Sequence, residues 1–458
     1  MSELWGGRFT EPLDQTMRRF STSLPVDRRF ARYDLEGSRA HAQALFRAGI
    51  LNEDERVALE NALRLVLAEV EAGTFPPLGT EADAAEDVHS AVEARLVELV
   101  GDVGKKLHAG RSRNDQVVTD VLLWLRDGLA GVIDGVLSLQ RALVDVAERH
   151  RDLVWYAYTH QQRAQPVLAA HHLLAHVEAL GRDVERLGDA KRRADRSPLG
   201  AGACVGSTLP LDRPLVAREL GFASVATNSL DAVSDRDWAI EAVSACALVM
   251  THLSRIAAEL VWWSSQEMST ARIGDAYCTG SSMMPQKRNP DVAELVRGKT
   301  ARVMGALTSL HMLLHGLPLA YNRDLQEDKA PLLDAIDTTT DCTRLLAAAV
   351  ASTTLYPPRA AGPELSSATD LAEELVRRGV PFRTAHERTG RLVLACEKSG
   401  RGLERATDQE LQEAGLEGLD RALLTPMGSV RAKQTLGSTH PNEVAASLER
   451  WRQRLAAG

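Results

Sequence analysis

Five stretches of the sequence repeat apolar residues at intervals of three and four for much longer than an ordinary helix lasts. They cover roughly residues 114–150, 166–196, 234–267, 290–316 and 323–352. A globular helix averages about three turns, so helices of this length need partners of matching length. In the first stretch Val117, Val121, Leu125, Leu129, Val132, Val136, Leu143 and Val144 fall on one face. Most of a helix's stability comes from burying such a face, and antiparallel packing into a long bundle is the natural way to do it. Several stretches are apolar on more than one side, as at Val261, Trp262 and Trp263. That suits helices packing on another subunit as well as on their own chain. Alternating strand patterns are nearly absent, so the expected class is all-α.

The flanks read differently. Before residue 111 shorter helices are expected near 34–49 and 53–72, with Gly6, Gly7 and Pro12 breaking the start. Gly73, Pro76, Pro77 and Gly79 form a linker, and an acidic segment, Glu86-Asp87-Val88-His89, leads into a further helix through Val100. Beyond Pro357, Pro358 and Gly362, short helices near 368–379, 384–398 and 408–413 suggest a small C-terminal domain. The expected division is 1–111, 112–361 and 362–458. A net charge of −8 argues against a nucleic-acid surface. Five scattered cysteines without a C-x-x-C pair fit a reducing compartment. No signal core or uninterrupted membrane-length run is evident, so a cytoplasmic protein without a membrane partner is expected.

Chemistry concentrates in the connections. Gly280-Ser281-Ser282-Met283-Met284-Pro285-Gln286-Lys287-Arg288-Asn289-Pro290-Asp291 sets hydroxyls and cations between two long helical patterns. Asn289 suits an N-cap, Pro290 a first helical position and Asp291 the positive end of the dipole. The loop is either an anion site with a reactive serine or a plain connection with Lys287 in solvent. His108 to Asp115 heads the first long helix, where Ser112 and Asp115 resemble a capping box. Arg111 and Arg113 there could hold a carboxylate or phosphate. Tyr158 to Pro166 reads as a polar loop between helices, in which His160 is an acid–base candidate or a surface residue. Tyr321 to Lys329 is a second polar cluster, or a solvated helix start.

Two other patterns lead away from function. His172 and His176 have the spacing of a helical zinc pair, but no further ligand is evident, so helix packing is the better reading. Gly200-Ala201-Gly202-Ala203-Cys204-Val205-Gly206 misplaces its third glycine for a dinucleotide loop and follows a helix.

Residues 280–290 closely resemble the signature loop of the fumarase/aspartase superfamily, whose members cleave C–N or C–O bonds and release fumarate. Residues 108–115, 158–166, 321–329 and Leu4–Phe9 together resemble its argininosuccinate lyase branch, a likeness running from about residue 4 to 400. The resemblance implies reversible, cofactor-free elimination of argininosuccinate to arginine and fumarate, with no metal. It implies a homotetramer in which four chains give five long helices each to a twenty-helix core, with active sites shared between three subunits. By position it implies Ser281 as catalytic base, and Lys287 and Asn289 as stabilisers of the aci-carboxylate. It implies His160 as partner acid, made more basic by Glu294; which of Ser281 and His160 is the base in each direction stays open. Ser23, Asn114 and Thr159 are implied at the succinate end with Ser112 and Arg113 in support. Tyr321, Gln326 and Lys329 are implied at the arginine end. Met283, Arg288 and Gln161 depart from the usual residues beside these positions. Two alternatives remain: another fumarate-releasing lyase such as adenylosuccinate lyase, and a crystallin-like structural protein on the same scaffold.

Overall fold

The computed structural model describes residue 11 and residues 13–80, 82–359 and 362–457. The Leu4–Phe9 motif and Pro12 lie outside them. The chain is mostly helical, with few strands. The five long helices are α1 (Arg113–Arg149), α2 (Ala169–Arg193), α3 (Asp237–Trp263), α4 (Asp291–Leu314) and α5 (Lys329–Ala351). Of the eight apolar positions expected on one face of α1, seven are buried, while Val117 is half-buried.

The chain divides into two compact units. One comprises residues 1–133, 186–247 and 302–339, the other 134–185, 248–301 and 340–458. In the first, helices Ala31–Arg47, Glu53–Glu71 and Val88–Val100 pack around Leu35, Leu45, Leu59, Leu63, Val66 and Leu96. Burying each such side chain contributes about 1.5–3 kcal/mol relative to exposure. The second of these helices starts at a full capping box: Glu55 N–H donates to Asn52 Oδ1 at 2.9 Å, and Asn52 N–H to Glu55 Oε2 at 3.1 Å. In the second unit, helices Ala368–Arg377 and Phe382–Lys398 enclose Leu371, Leu375, Leu392, Cys396 and Leu424.

One expectation fails at residues 154–168. The stretch is no loop between helices but a hairpin of β1 (Val154–Thr159) and β2 (Gln162–Leu168), so α2 begins at Ala169 instead of near 166. Val154, Trp155, Tyr156, Tyr158 and Thr159 are strand-forming types, yet the turn lacks glycine. His160 and Gln161 take positive φ values of 53° and 57° instead, the backbone of a type I′ turn.

α3 is long and apolar enough to cross a membrane by length and composition alone. It buries Ala239, Ala242, Val243, Val249, Met250 and Leu253, as a core helix does.

Candidate active site

Residues far apart in sequence line a cleft of about 250 Å³ in the first unit. Six of the residues singled out in the sequence meet there: Ser23, Arg113, Asn114, Tyr321, Gln326 and Lys329. Ser23 precedes the short helix Leu24–Asp27, and its backbone N–H donates to Glu86 O at 2.9 Å. Its hydroxyl donates to Asp27. Gln326 reaches the same segment, donating to Ser21 O at 3.1 Å.

Arg113 and Asn114 sit at the first turn of α1. Arg113 pairs with Asp87 at 2.9 Å and donates to Ser90 Oγ at 2.7 Å. Arg111 turns elsewhere and donates to Ser38 Oγ. The expected capping box is half realised. Asp115 accepts from Ser112 N–H at 2.9 Å, but Ser112 Oγ accepts from Asn114 N–H at 3.2 Å. Ser112 therefore shapes the helix start and is not part of the cleft lining.

Buried Asp115 also explains the glycine-rich loop. Its Oδ2 accepts from Gly200 N–H at 2.9 Å and Gly202 N–H at 2.8 Å, and Asn114 Nδ2 donates to Ala203 O at 3.0 Å. A Cβ at Gly202 would meet Gly206 O at 2.8 Å, and φ there is +63°, so glycine is required. The loop positions Asn114. Asp115→Ala removes the acceptor of three backbone N–H groups and is expected to destabilise the protein by about 1–3 kcal/mol. Denaturant unfolding measures that loss.

Lys329 rests on a buried ion cluster. Its ammonium lies 2.7 Å from Asp328 Oδ1, and Arg236 pairs with the other oxygen of that carboxylate. Burial opposes ionisation, but Lys329 and Arg236 hold Asp328 below the usual carboxylate range. Its contribution to stability is present above the unfolded-state pKa and lost as pH falls through the lowered folded value. Asp328→Ala leaves two buried cations uncompensated and is expected to cost about 3–5 kcal/mol in urea unfolding.

Asp27, Glu86, Asp87, His89 and Arg323 also line the cleft, with no role read for them in the sequence. Burial pushes Asp27 above the usual carboxylate range, against the pull of Lys329 and Ser23. The signal for Glu86, Asp87 and His89 was the acidic run ending at His89, just where a helix starts, and for Arg323 its place in the polar cluster 321–329.

The other candidates belong to the second unit. Thr159 and His160 are exposed at the tip of the β1–β2 hairpin. The 280–291 loop is a second hairpin, with Thr279 paired to Asn289 and Gly280 to Arg288. This corrects the cap: Pro290 O accepts from Glu294 N–H at 3.2 Å, so Pro290 stands at the N-cap position and Asn289 ends a strand. Ser281 Oγ accepts from Met283 N–H at 3.3 Å and Met284 N–H at 3.1 Å. Lys287 and Glu294 are exposed. Among the described residues of a single chain, no hydrogen bond or ion pair joins His160, Ser281, Lys287 and Glu294 to one another.

His172 and His176 share a partner, Glu259 Oε2, at 2.9 and 2.6 Å. Burial opposes it, but these two bonds hold the Glu259 carboxyl at about 2. The three satisfy one another as a clasp between α2 and α3.

Comparison with known proteins places this architecture. A family model described as "Lyase" matches residues 7–305, and one described as "Argininosuccinate lyase C-terminal" matches residues 365–431. The argininosuccinate lyase of Thiobacillus denitrificans is 48% identical over 456 residues, 98% of each chain. This chain belongs to the argininosuccinate lyase family. The relative of that name from Pelotomaculum thermopropionicum is also 48% identical, over 99% of each chain. Membership makes the chain a carbon–nitrogen lyase. Among solved structures, EDDS lyase with bound formate superposes with a TM-score of 0.82 at 28% identity, covering 96% of this chain and 88% of that one. A class II fumarase from Schistosoma mansoni shares the fold, with a TM-score of 0.73 at 19% identity over 90% of this chain and 92% of its own. The likeness to argininosuccinate lyases thus runs along nearly the whole length of the chain.

Proposed function

We propose that the chain catalyses the reversible elimination of L-argininosuccinate to L-arginine and fumarate, as a cytoplasmic enzyme of arginine biosynthesis. The observation that carries this reading is 48% identity along nearly the full length to proteins named argininosuccinate lyase. The cleft supports it, because it gathers Ser23, Arg113, Asn114, Tyr321, Gln326 and Lys329 from distant segments.

The hard step is removal of a carbon-bound proton next to a carboxylate. The resulting aci-carboxylate needs preorganised positive charge and donors. In the proposed mechanism Ser281 takes the proton while Lys287 and Asn289 stabilise the carboxylate. His160, paired with Glu294, gives a proton to the departing guanidino nitrogen, and Thr159 and Ser112 help to hold the succinate end. A serine hydroxyl is a weak base at neutral pH, so the 280–291 loop has to close over substrate and exclude water. The exposure of Ser281's neighbours in one chain fits an unclosed loop.

The cleft-lining binding residues fall in the first unit, Thr159, Asn289 and the acid–base residues in the second, and no hydrogen bond or ion pair joins the acid–base residues among the described residues of one chain. We therefore assign residues 112–361 to assembly of a homotetramer whose sites are shared between three subunits, flanked by domains 1–111 and 362–458. Exposed Leu295, Met304 and Met312 on α4 supply apolar surface for that assembly. Size-exclusion mass and argininosuccinate-dependent fumarate absorbance on one sample test the proposal. A tetramer inert towards argininosuccinate would overturn the activity, and an active monomer the assembly.

A further inference from the structure

Behind the cleft, His89 meets two carboxyl groups that no proposed catalytic step uses. His89 is the second residue of the helix capped by Asp87. Its Nδ1 lies 2.9 Å from Asp34 Oδ1 and 3.4 Å from Asp120 Oδ2, and all three side chains are buried. Gln116 donates to the same Asp34 oxygen. Among the described residues, Asp34 Oδ2 and Asp120 Oδ2 are buried without a hydrogen-bond partner. One ring nitrogen of His89 and one carboxyl oxygen of each aspartate all lie within 4.8 Å of one another.

Two carboxylates this close and this dry do not both ionise. We propose that Asp34 and Asp120 hold one proton between them, carried on Asp120, and that the charge left on Asp34 fixes His89 as an imidazolium lining the cleft. Asp34 is the ionised partner because it accepts from both His89 and Gln116, whereas Asp120 has no donor as close. The electrostatics agree. Burial works against Asp34's charge, yet His89 and then Arg111 hold it below the usual range. Burial and the charge on Asp34 push Asp120 well above it. Burial opposes charge on His89, but Asp34, then Asp87 and Asp27, raise it. Arg111 bears directly on both aspartates, and Glu93, His108 and Arg113 are further charged or titratable groups around the cluster.

The cleft needs this charge. Arg113, Arg323 and Lys329 are already paired with Asp87, Glu86 and Asp328. A substrate rich in carboxylates would otherwise face Asp27, Glu86 and Asp87 with every cation committed. With Nδ1 donating to Asp34, the imidazolium keeps its other N–H for the ligand. His89 is thus a specificity residue for anionic substrate, with Asp34 and Asp120 as positioning residues.

The kinetic part of this inference rests on the proposed function; the protonation part does not. Histidine-labelled intact protein, with the His89 signal assigned by His89→Gln, is titrated by NMR. His89 is expected to stay imidazolium through pH 7 in the parent chain and in Asp120→Asn, whose amide mimics the protonated carboxyl. In Asp34→Asn it is expected to lose the proton about one to three pH units lower. The alkaline limb of kcat/KM for argininosuccinate should move down by the same amount in Asp34→Asn and stay in place in Asp120→Asn. A neutral His89 at pH 7 in the parent, or equal shifts in the two variants, overturns the inference. If Asp34→Asn does not fold, the parent titration alone decides it. A parent chain inert towards argininosuccinate refutes the proposed function and leaves the titration result standing.

Discussion

Ser281→Ala is expected to slow fumarate release from argininosuccinate by about 10²–10⁴-fold, the span of a lost general acid or base. His160→Asn should fall in the same range. The two substitutions are chosen to spare the fold. Ser281 Oγ accepts only two N–H groups of its own hairpin, from Met283 and Met284, in a loop whose other members are mostly exposed. His160 sits at φ 53°, and asparagine is among the few residues that adopt positive φ readily. The hairpin turn should survive while the titrating ring is lost. Particle mass and thermal midpoint should match the parent in both variants. Turnover within tenfold of the parent in either one would strip that residue of its proposed role.

Much of this architecture is legible in the sequence because α1 to α5 keep one period for so long. Val121 to Val144 on α1 read correctly as a buried stripe, since spacing alone decides which face turns inward. Val117 shows the limit of that logic: it belongs to the stripe by period, yet it lines the cleft. The β1–β2 hairpin was hidden because Pro166 and the polar run after His160 mask the alternation, and no Asn-Gly marks its turn. Asn289 was misplaced by one residue for a tertiary reason. Pairing of Thr279 with Asn289 draws it into a strand, and the helix start moves on by one position.

The cleft was half legible. Its hydrogen-bonding residues lie in recognisable motifs, but Asp27, Glu86, Asp87 and His89 gain meaning only through partners distant in sequence. Asp34 and His89 are 55 positions apart, and Arg323 is 237 from Glu86. Such pairs leave no local spacing to read. The same holds for Asp115, which looks like a cap and is also the anchor of the 200–206 loop.

His160 and Ser281 share no hydrogen bond or ion pair among the described residues of one chain, which makes the assembly itself testable through activity. His160→Asn and Ser281→Ala chains, each nearly inert alone, are to be unfolded, mixed in equal amounts and refolded together. If His160 and Ser281 of one site come from different subunits, half the subunits offer an intact histidine and half an intact serine. Random assembly then gives both to one site in a quarter of cases, so the mixture should recover about a quarter of parental kcat with unchanged KM. If both residues of a site came from one chain, every site would lack one of them and the mixture would stay as inert as its parts. Refolding each variant separately and mixing afterwards supplies the control, because subunits that do not exchange cannot complement. Recovery near a quarter would also explain why His160 and Ser281 share no hydrogen bond within one chain, whereas no recovery from well-assembled mixed oligomers would place both residues of a site on one subunit.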